Sequence, residues 1–177
     1  MCELFAMSSL HEATIRLSLQ EFSRHGGLTG AHKDGWGVAY FAGKDVRIIK
    51  DSSPASGSPW IAFLQAHPPK STIVVSHIRL ATQGEHSVGN SQPFSRELAG
   101  RQHVFAHNGD LQAQALQRGQ RLGLYHPVGE TDSEYAFCAL LERLRPLWLG
   151  SHGIPALADR LSIVSQFAAD IRPLGPA

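Results

Sequence analysis

The sequence predicts a single α+β domain in which antiparallel strands and helices form layers. Three segments rich in β-branched and aromatic residues are typical of strands: GWGVAYFAG, DVRIIKD and STIVVSHIRLAT. Two segments near the C-terminus repeat apolar residues at helical spacing. These strands and helices do not alternate in the regular βαβ order of a doubly wound sheet, so α+β layers are favoured.

The first half of the chain is predicted to contain four strands and one long helix. In chain order these are a strand at 2–8, a helix within 11–27, a strand pair at 35–43 and 45–51, and a strand within 71–82 that is buried on both faces. Ile15, Leu19 and Phe22 share one face of the helix, and Gly26-Gly27 ends it. A tight turn at Gly43 joins the strand pair. About two turns of helix are expected in the loop that precedes the last strand.

The second half is predicted to contain one more strand and two helices. In chain order these are a polar loop at 83–101, a buried strand within 103–111, a helix at 131–146 and a helix at 154–171. The loop is expected to be a functional lid. Thr131 and Glu134 form a capping box at the start of the first helix. The apolar faces of the two helices are Phe137, Leu140, Leu141 and Leu144, and then Leu157, Leu161, Val164 and Ile171.

Composition and charge restrict the class of protein. The chain has 177 residues, of which 42% are hydrophobic and 18% charged, and its formal net charge is +1. Scattered Lys and Arg argue against a nucleic-acid partner, and the lack of a long apolar run argues against a membrane partner. Glu3 stands where a signal peptide has basic residues. Two distant cysteines, Cys2 and Cys138, cannot form a disulfide framework, so a cytoplasmic location is predicted.

Cys2 directly follows the initiator methionine. If Met1 is removed, one residue carries both a thiol and a free α-amine, whose reference pKa is about 7.7–8.0. Such an amine can accept the thiol proton near neutral pH, so nucleophile and base are held in one residue. An accidental second-position cysteine explains the same residue without any chemistry, and Cys2 alone does not decide between the two.

Two strand ends carry polar residues that could bind or activate a substrate. In HIRLAT, the Arg79 guanidinium suits a carboxylate, and His77 shares its face of the strand. In AHNGD, the Asn108 side chain and the Gly109 N–H are the two donors that an oxyanion hole requires. An ordinary surface arginine, a structural histidine and an Asn-Gly tight turn explain the same residues. The role of His107 stays open.

The last candidates are Asp132, at the predicted start of a helix, and the histidines. In TDSE, Asp132 suits the positive end of a helix dipole and could equally bind a substrate ammonium. The ten histidines form no HExxH motif and no paired spacing with cysteine, so no metal is predicted. DGWGVA lacks the lysine of a phosphate loop and precedes a strand, so no nucleotide cofactor is predicted either.

The ordered set of motifs resembles the class-II glutamine amidotransferase family, which has the N-terminal-nucleophile hydrolase fold. The second-position cysteine is followed by DGWGVA, HIRLAT, AHNGD and GETDSE, and the likeness extends from Met1 to about residue 145. The start is most similar to small stand-alone bacterial amidotransferases, and γ-glutamyl hydrolases of thiol metabolism also look similar. The resemblance implies a four-layer αββα sandwich, with two antiparallel sheets between helical layers.

The resemblance also implies a role for each candidate residue. Cys2 would attack the γ-amide of glutamine or a γ-glutamyl compound and form a thioester, with its α-amine as general base. Asn108 and Gly109 would stabilise the oxyanion. The remaining residues would bind the substrate head or support the site: Arg79 for the α-carboxylate, Asp132 for the α-ammonium, Thr82 beside them, and His77 and His107 in support.

Three expectations concern the whole protein. Residues 1–177 are expected to be one glutamine amidotransferase type-2 domain that is C-terminally incomplete, because family members continue with further strands. No fused synthase is present, so an ammonia-accepting partner protein or simple glutaminase activity is expected. If Met1 is retained, the alternative is a non-catalytic regulatory subunit that binds glutamine. The sequence leaves the oligomeric state open.

Overall fold

The computed structural model describes residues 2–82 and 84–175. The strands are β1 (Glu3–Ala13), β2 (Trp36–Ala42), β3 (Asp45–Asp51), β4 (Ser71–Ile78), β5 (Phe94–Leu98) and β6 (Arg101–Phe105). The α-helices are α1 (Arg16–His25), α2 (Pro59–Ala66), α3 (Ala113–Gly119), α4 (Asp132–Leu149) and α5 (Leu157–Ile171). Short 3-10 helices occur at Ala55–Gly57 and Arg172–Leu174. Within the described residues, no helix has the length and apolar character needed to cross a membrane.

The strands form two antiparallel sheets. One has four strands in the order β1-β4-β2-β3, and the other is the pair β5-β6. In the larger sheet, His77 of β4 lies opposite Leu4 of β1 and Gly37 of β2. Neighbouring residues of a strand face opposite sides, so Val74 and Ile78 lie on one face and His77 on the other.

Each sheet has its own layer of helices. Helices α1 and α2 pack on the larger sheet through buried side chains that include Leu19, Leu64 and Val74. Helices α3, α4 and α5 pack on β5 in a second core that includes Phe94 and Leu141. The resulting order is helices, sheet, sheet, helices. This confirms the α+β class and the layered order that the resemblance implied.

Several local predictions agree with these elements. The turn between β2 and β3 contains Gly43 with φ of +65°, a value that glycine adopts without strain. The two helical turns expected in the loop before β4 are α2. β1 is longer than predicted and pairs with β4 as far as Ala13, so α1 begins at Arg16 rather than near residue 11. β4 is not buried on both faces along its whole length, because Ile73 is 42% exposed while His77 is 0% exposed.

The prediction of a loop that acts as a lid at 83–101 is wrong for the second part of that segment. Residues from Phe94 onward form β5, which pairs with β6 through a hairpin. The turn has positive φ at both central residues, +53° at Ala99 and +74° at Gly100, as a type I′ turn requires. Alanine is uncommon at such a position, so the sequence shows no typical hairpin signal. Gln83, the first residue of this loop, lies outside the described residues. Helix α3 was not predicted at all.

Helix α4 starts as expected but with a different partner for its glutamate. The Thr131 side chain accepts a hydrogen bond from the Glu134 N–H at 3.2 Å, which confirms the cap. The Glu134 carboxylate does not complete the box. It accepts from the Gly129 N–H at 2.7 Å and pairs with Arg96 of β5 at 2.5 Å. The start of α4 is thereby joined to the second sheet.

The predicted apolar face of α5 is largely solvent-exposed. Leu157, Leu161 and Val164 are 60%, 53% and 40% exposed, whereas Phe167 is 2% exposed. Phe167 lies under the Arg143 guanidinium of α4 at 5.1 Å, and Ile163 and Ile171 pack beside it. A neighbouring stripe of the helix therefore faces the core, because α5 contains apolar residues on more than one side.

Candidate active site

Sheet register brings Cys2 to the end of β4. Cys2 directly precedes β1, and Glu3 lies opposite Ile78 in the β1–β4 ladder. The Cys2 sulfur accepts a hydrogen bond from the Leu80 N–H at 3.3 Å and donates to the Leu80 carbonyl at 3.4 Å. The start of one strand and the end of its antiparallel neighbour thus place a thiol beside the segment that contains Arg79. Met1, whose removal the sequence analysis required, lies outside the described residues.

A small pocket surrounds the Cys2 sulfur, with a volume of about 30 Å³. Its wall contains residues from five separate segments of the chain: Cys2, Arg79, Leu80, Thr82, Gln92, His107, Gly109, Asp110, Thr131, Asp132 and Ser133. Six candidates from the sequence therefore meet at this pocket. Asn108 is exposed and lies between two lining residues, and His77 is fully buried in the sheet below.

Arg79 is buried and its guanidinium is held by backbone carbonyls. It donates to Glu85 at 3.0 Å, to Gly84 at 3.2 Å and to Asp34 at 3.4 Å. Burial lowers the pKa of Arg79, while Asp34 opposes that effect. Arg79 thus fixes the loop after β4 and brings a positive charge to the pocket.

Asp34 organises the same segment, and sequence reasoning missed it. Its carboxylate accepts from the Ala81 N–H at 2.7 Å and lies 3.3 Å from the His86 ring. The Arg79 N–H also donates to the Gly35 carbonyl at 2.8 Å. Because Ala81 follows Leu80, Asp34 helps to aim the Leu80 N–H at the Cys2 sulfur. The DGWG motif contains the signal, since a buried aspartate is uncommon unless its oxygens are bonded.

Thr82, Asp110 and Asp132 make the polar contacts across the pocket. The Thr82 hydroxyl donates to Asp110 at 2.5 Å. Asp132 accepts from the Leu111 N–H at 2.5 Å and from the Ser133 N–H at 2.7 Å. Asp132 therefore ties the segment after β6 to the start of α4. Asp110 was not singled out from the sequence, although it directly follows the Asn108-Gly109 pair.

The supporting histidine His107 is held by two hydrogen bonds. The His107 ring Nδ1 lies 3.0 Å from the Ser133 hydroxyl, and the His107 N–H donates to the Gln92 side chain at 2.7 Å. Gly109 lies directly against this ring, because a Cβ on Gly109 would be 3.0 Å from the ring atoms Cε1 and Nε2. Gln92 and Ser133 were also not predicted, and a lone Gln or Ser in a loop carries no recognisable signal.

Burial favours the neutral forms of the Cys2 thiol and of the two histidines. Burial raises the pKa of the Cys2 thiol, against the lowering effects of the Leu80 N–H and of Arg79. Burial, helped by Arg79, lowers the pKa of His77 to about 4. Burial also lowers the pKa of His107, which Asp132 and Asp110 partly offset. At neutral pH the sulfur is therefore protonated, and it needs a base to become a nucleophile.

Across residues 2–82 and 84–175, no group of three or more His, Cys, Asp or Glu side chains could hold a metal ion.

Comparison with known sequences identifies relatives over the whole chain. The family described as glutamine amidotransferases class-II matches residues 1–176. An Escherichia coli K12 protein named "Putative glutamine amidotransferase YafJ" is 43% identical over 175 residues, covering 99% of this chain and 67% of that protein. A Haemophilus influenzae protein named "Putative glutamine amidotransferase" is 43% identical over 145 residues, covering 82% of this chain and 48% of that protein.

Comparison with solved structures also identifies glutamine amidotransferases. The crystal structure of a "predicted glutamine amidotransferase" from Pseudomonas aeruginosa PA01 is similar with a TM-score of 0.66 and 32% identity. That match covers 98% of this chain and 66% of the other. Glutamine phosphoribosylpyrophosphate amidotransferase from B. subtilis has a TM-score of 0.61 at 19% identity, covering 94% and 33%, which shows the shared fold.

The chain spans about two thirds of the length of the E. coli and P. aeruginosa proteins, and about half of the H. influenzae protein. The family match includes nearly every residue, and two relatives exceed 40% identity. The chain therefore belongs to the class-II glutamine amidotransferases.

Proposed function

We propose that the protein cleaves the γ-amide of glutamine, or of another γ-glutamyl compound, through a thioester on Cys2. One observation carries this proposal: the Cys2 sulfur is held by the Leu80 backbone at a pocket that Arg79, Gly109 and Asp132 also line. A nucleophile, an oxyanion donor, a cation and an anion are thereby within one small volume. The family membership supports the same reaction.

The base that activates the sulfur is the α-amine of Cys2 itself, after removal of Met1. Within the described residues, the hydrogen-bond partners of the sulfur are both backbone groups of Leu80, and neither is a histidine. Burial lowers the pKa of His107 and of His77, and it thereby makes both poorer proton acceptors. A free α-amine with a reference pKa of about 7.7–8.0 suits the task.

The reaction has two halves, the formation of the thioester and its hydrolysis. The α-amine takes the thiol proton, and the sulfur bonds to the amide carbon. The Asn108 side chain and the Gly109 N–H stabilise the resulting oxyanion. Collapse breaks the carbon–nitrogen bond, and the ammonium of Cys2 returns its proton to the departing nitrogen. Water then hydrolyses the thioester, which releases the γ-carboxylate and restores the thiol.

The other candidate residues recognise the amino-acid head of the substrate. Arg79 offers a cation to the α-carboxylate and Asp132 an anion to the α-ammonium, with Thr82 beside them. His77 and His107 support the pocket from below and from one side. Ammonia would pass to a partner protein or leave as the product of a simple glutaminase. Free cysteines at positions 2 and 138 suit a reducing cytoplasm.

The test uses protein whose loss of Met1 is confirmed by intact mass. A diazo-ketone analogue of glutamine is expected to add to the Cys2 peptide, and glutamine should release ammonia. Cys2→Ala should abolish both without lowering the thermal unfolding midpoint. Cys138→Ala removes the other free cysteine, which is buried in α4, and should leave the adduct on Cys2 intact. If intact mass instead shows that Met1 is retained, and that protein binds glutamine without releasing ammonia, it is a regulatory subunit.

A further inference from the structure

Thr82 and Asp110 close the Cys2 pocket from opposite sides. Thr82 follows β4 and Asp110 follows β6, and the hydroxyl of the first donates to the carboxylate of the second at 2.5 Å. The pocket that they bridge is small, with a volume of about 30 Å³. A ligand head that reaches the Cys2 sulfur between these two residues would break their hydrogen bond and open the pocket.

The other charged groups of the pocket have backbone partners that such an opening need not break. Asp132 is bonded to the N–H groups of Leu111 and Ser133, and Arg79 to carbonyls of the loop that follows it. The hydrogen bond of the Asp110 carboxylate is different, because it joins two walls that move apart. When the Thr82 hydroxyl is displaced, a ligand ammonium can take its place, because a charge-assisted hydrogen bond to a carboxylate is stronger than one from a neutral hydroxyl.

We propose that Asp110 is a specificity-determining residue whose carboxylate exchanges the Thr82 hydroxyl for the ammonium group of an amino-acid ligand. The inference rests on the proposed function for the class of ligand. The inference narrows the class of ligand to γ-glutamyl compounds that have a free α-ammonium. N-acylated and des-amino analogues are excluded. Asp110 then acts beside Asp132, and the released Thr82 hydroxyl faces the rest of the amino-acid head.

The charge of Asp110 acts on the catalytic groups themselves. Burial is the main cause that raises the pKa of the Cys2 thiol, and Asp110 raises it further. Asp110 also opposes the lowering of the pKa of His107. A ligand ammonium that neutralises Asp110 therefore makes the thiol easier to ionise. A ligand without an ammonium leaves this effect in place.

The test compares Asp110→Asn with Asp45→Asn, which removes an exposed carboxylate at the start of β3. Ammonia release is measured with glutamine and with its des-amino analogue, 4-carbamoylbutanoate. Asp110→Asn is expected to raise KM for glutamine about tenfold, with kcat changed less than about twofold. KM for the analogue should not change. Asp110→Glu, which keeps the charge, should retain a preference for glutamine. Asp45→Asn should resemble the wild type.

A second measurement does not depend on turnover. Alkylation of Cys2 by iodoacetamide is followed by peptide mass spectrometry from pH 6 to 10, with and without glutamine. In Asp110→Asn the alkylation profile should move to lower pH, and glutamine should protect Cys2 less well than in the wild type.

The outcomes separate the two proposals. An unchanged KM for glutamine, or an equal rise for glutamine and its analogue, would overturn the role of Asp110 and leave the amidohydrolase function standing. Wild-type protein that binds but does not cleave glutamine would overturn the function. The loss of protection in Asp110→Asn would still support the inference. If glutamine neither reacts nor protects Cys2, both proposals fail.

Discussion

The His107 ring lies so close to Gly109 that it leaves no room for a side chain at this position. The His107 ring that lies against it is fixed by Ser133, and the His107 backbone is fixed by Gln92. A side chain on Gly109 would meet this ring at 3.0 Å, so the ring or the peptide would have to move. The Gly109 N–H is a proposed oxyanion donor, and its placement is therefore sensitive to a single methyl group.

We predict that Gly109→Ala lowers kcat for ammonia release by about a hundredfold or more, the scale observed when an oxyanion donor is lost. The thermal midpoint should fall much less than activity does. Gly57→Ala is the matched control, because nothing lies within 4 Å of a Cβ at that position. Full activity in Gly109→Ala would show that this N–H does not contact the reacting oxygen.

At the scale of elements, the start of α4 holds the site together. Thr131 caps the helix, Asp132 bonds the segment after β6, and Glu134 pairs with Arg96 of β5. The contacts of Asp132 and Glu134 thus connect one helix terminus to a loop and to a sheet. The helix end is consequently both a structural junction and one wall of the Cys2 pocket.

Thr131→Ala is expected to lower the free energy of unfolding by about 1 kcal/mol, the usual cost of removing an N-cap side chain. The Glu134 N–H would lose its acceptor while the rest of the helix stays intact. Urea denaturation followed by circular dichroism measures the change. Ser165→Ala, at an exposed position within α5, should cost nothing, and an equal loss there would argue against the cap.

Helix α5 gives a second test at this scale, because its buried and exposed stripes are both apolar. Phe167→Ala should lower the free energy of unfolding by roughly 3–5 kcal/mol, since it leaves a cavity beside α4. Leu161→Lys should change it by no more than about 0.5 kcal/mol, because Leu161 is 53% exposed. The same denaturation assay checks both variants. The reverse ranking would mean that α5 packs through the stripe predicted from the sequence.

For the whole molecule, buried neutral histidines make stability depend on pH. The pKa of His77 is about 4 in the folded protein, against about 6.5 for an unperturbed histidine. Between these values the unfolded chain binds a proton that the native protein does not. The stabilisation is therefore complete above about pH 6.5 and is lost as the pH falls towards 4. The lowered pKa values of His107 and His103 act in the same direction.

We predict that the free energy of unfolding falls by about 2 kcal/mol between pH 7 and pH 5 from His77 alone. Urea titrations at several pH values measure the slope. His77→Gln should flatten it, whereas His152→Gln, at an exposed position, should not. Equal stability at pH 7 and pH 5 would show that His77 titrates normally in the native protein.

The sequence alone determined the features that depend on neighbouring residues. The turn at Gly43, helix α2, the cap of α4 and the α+β class follow from local composition and periodicity. The order of motifs around Cys2, Arg79 and Asn108-Gly109 carried the family resemblance, because each motif is a short block that can be read directly from the chain.

Only the tertiary structure decided which groups meet. Asp34 bonds Ala81 across 47 residues, and Thr82 bonds Asp110 across 28, because strand register and chain crossing bring those segments together. The β5–β6 hairpin and the buried stripe of α5 were likewise decided by packing, since their local patterns fit more than one arrangement. Long-range contacts of this kind leave no periodic trace along a single chain.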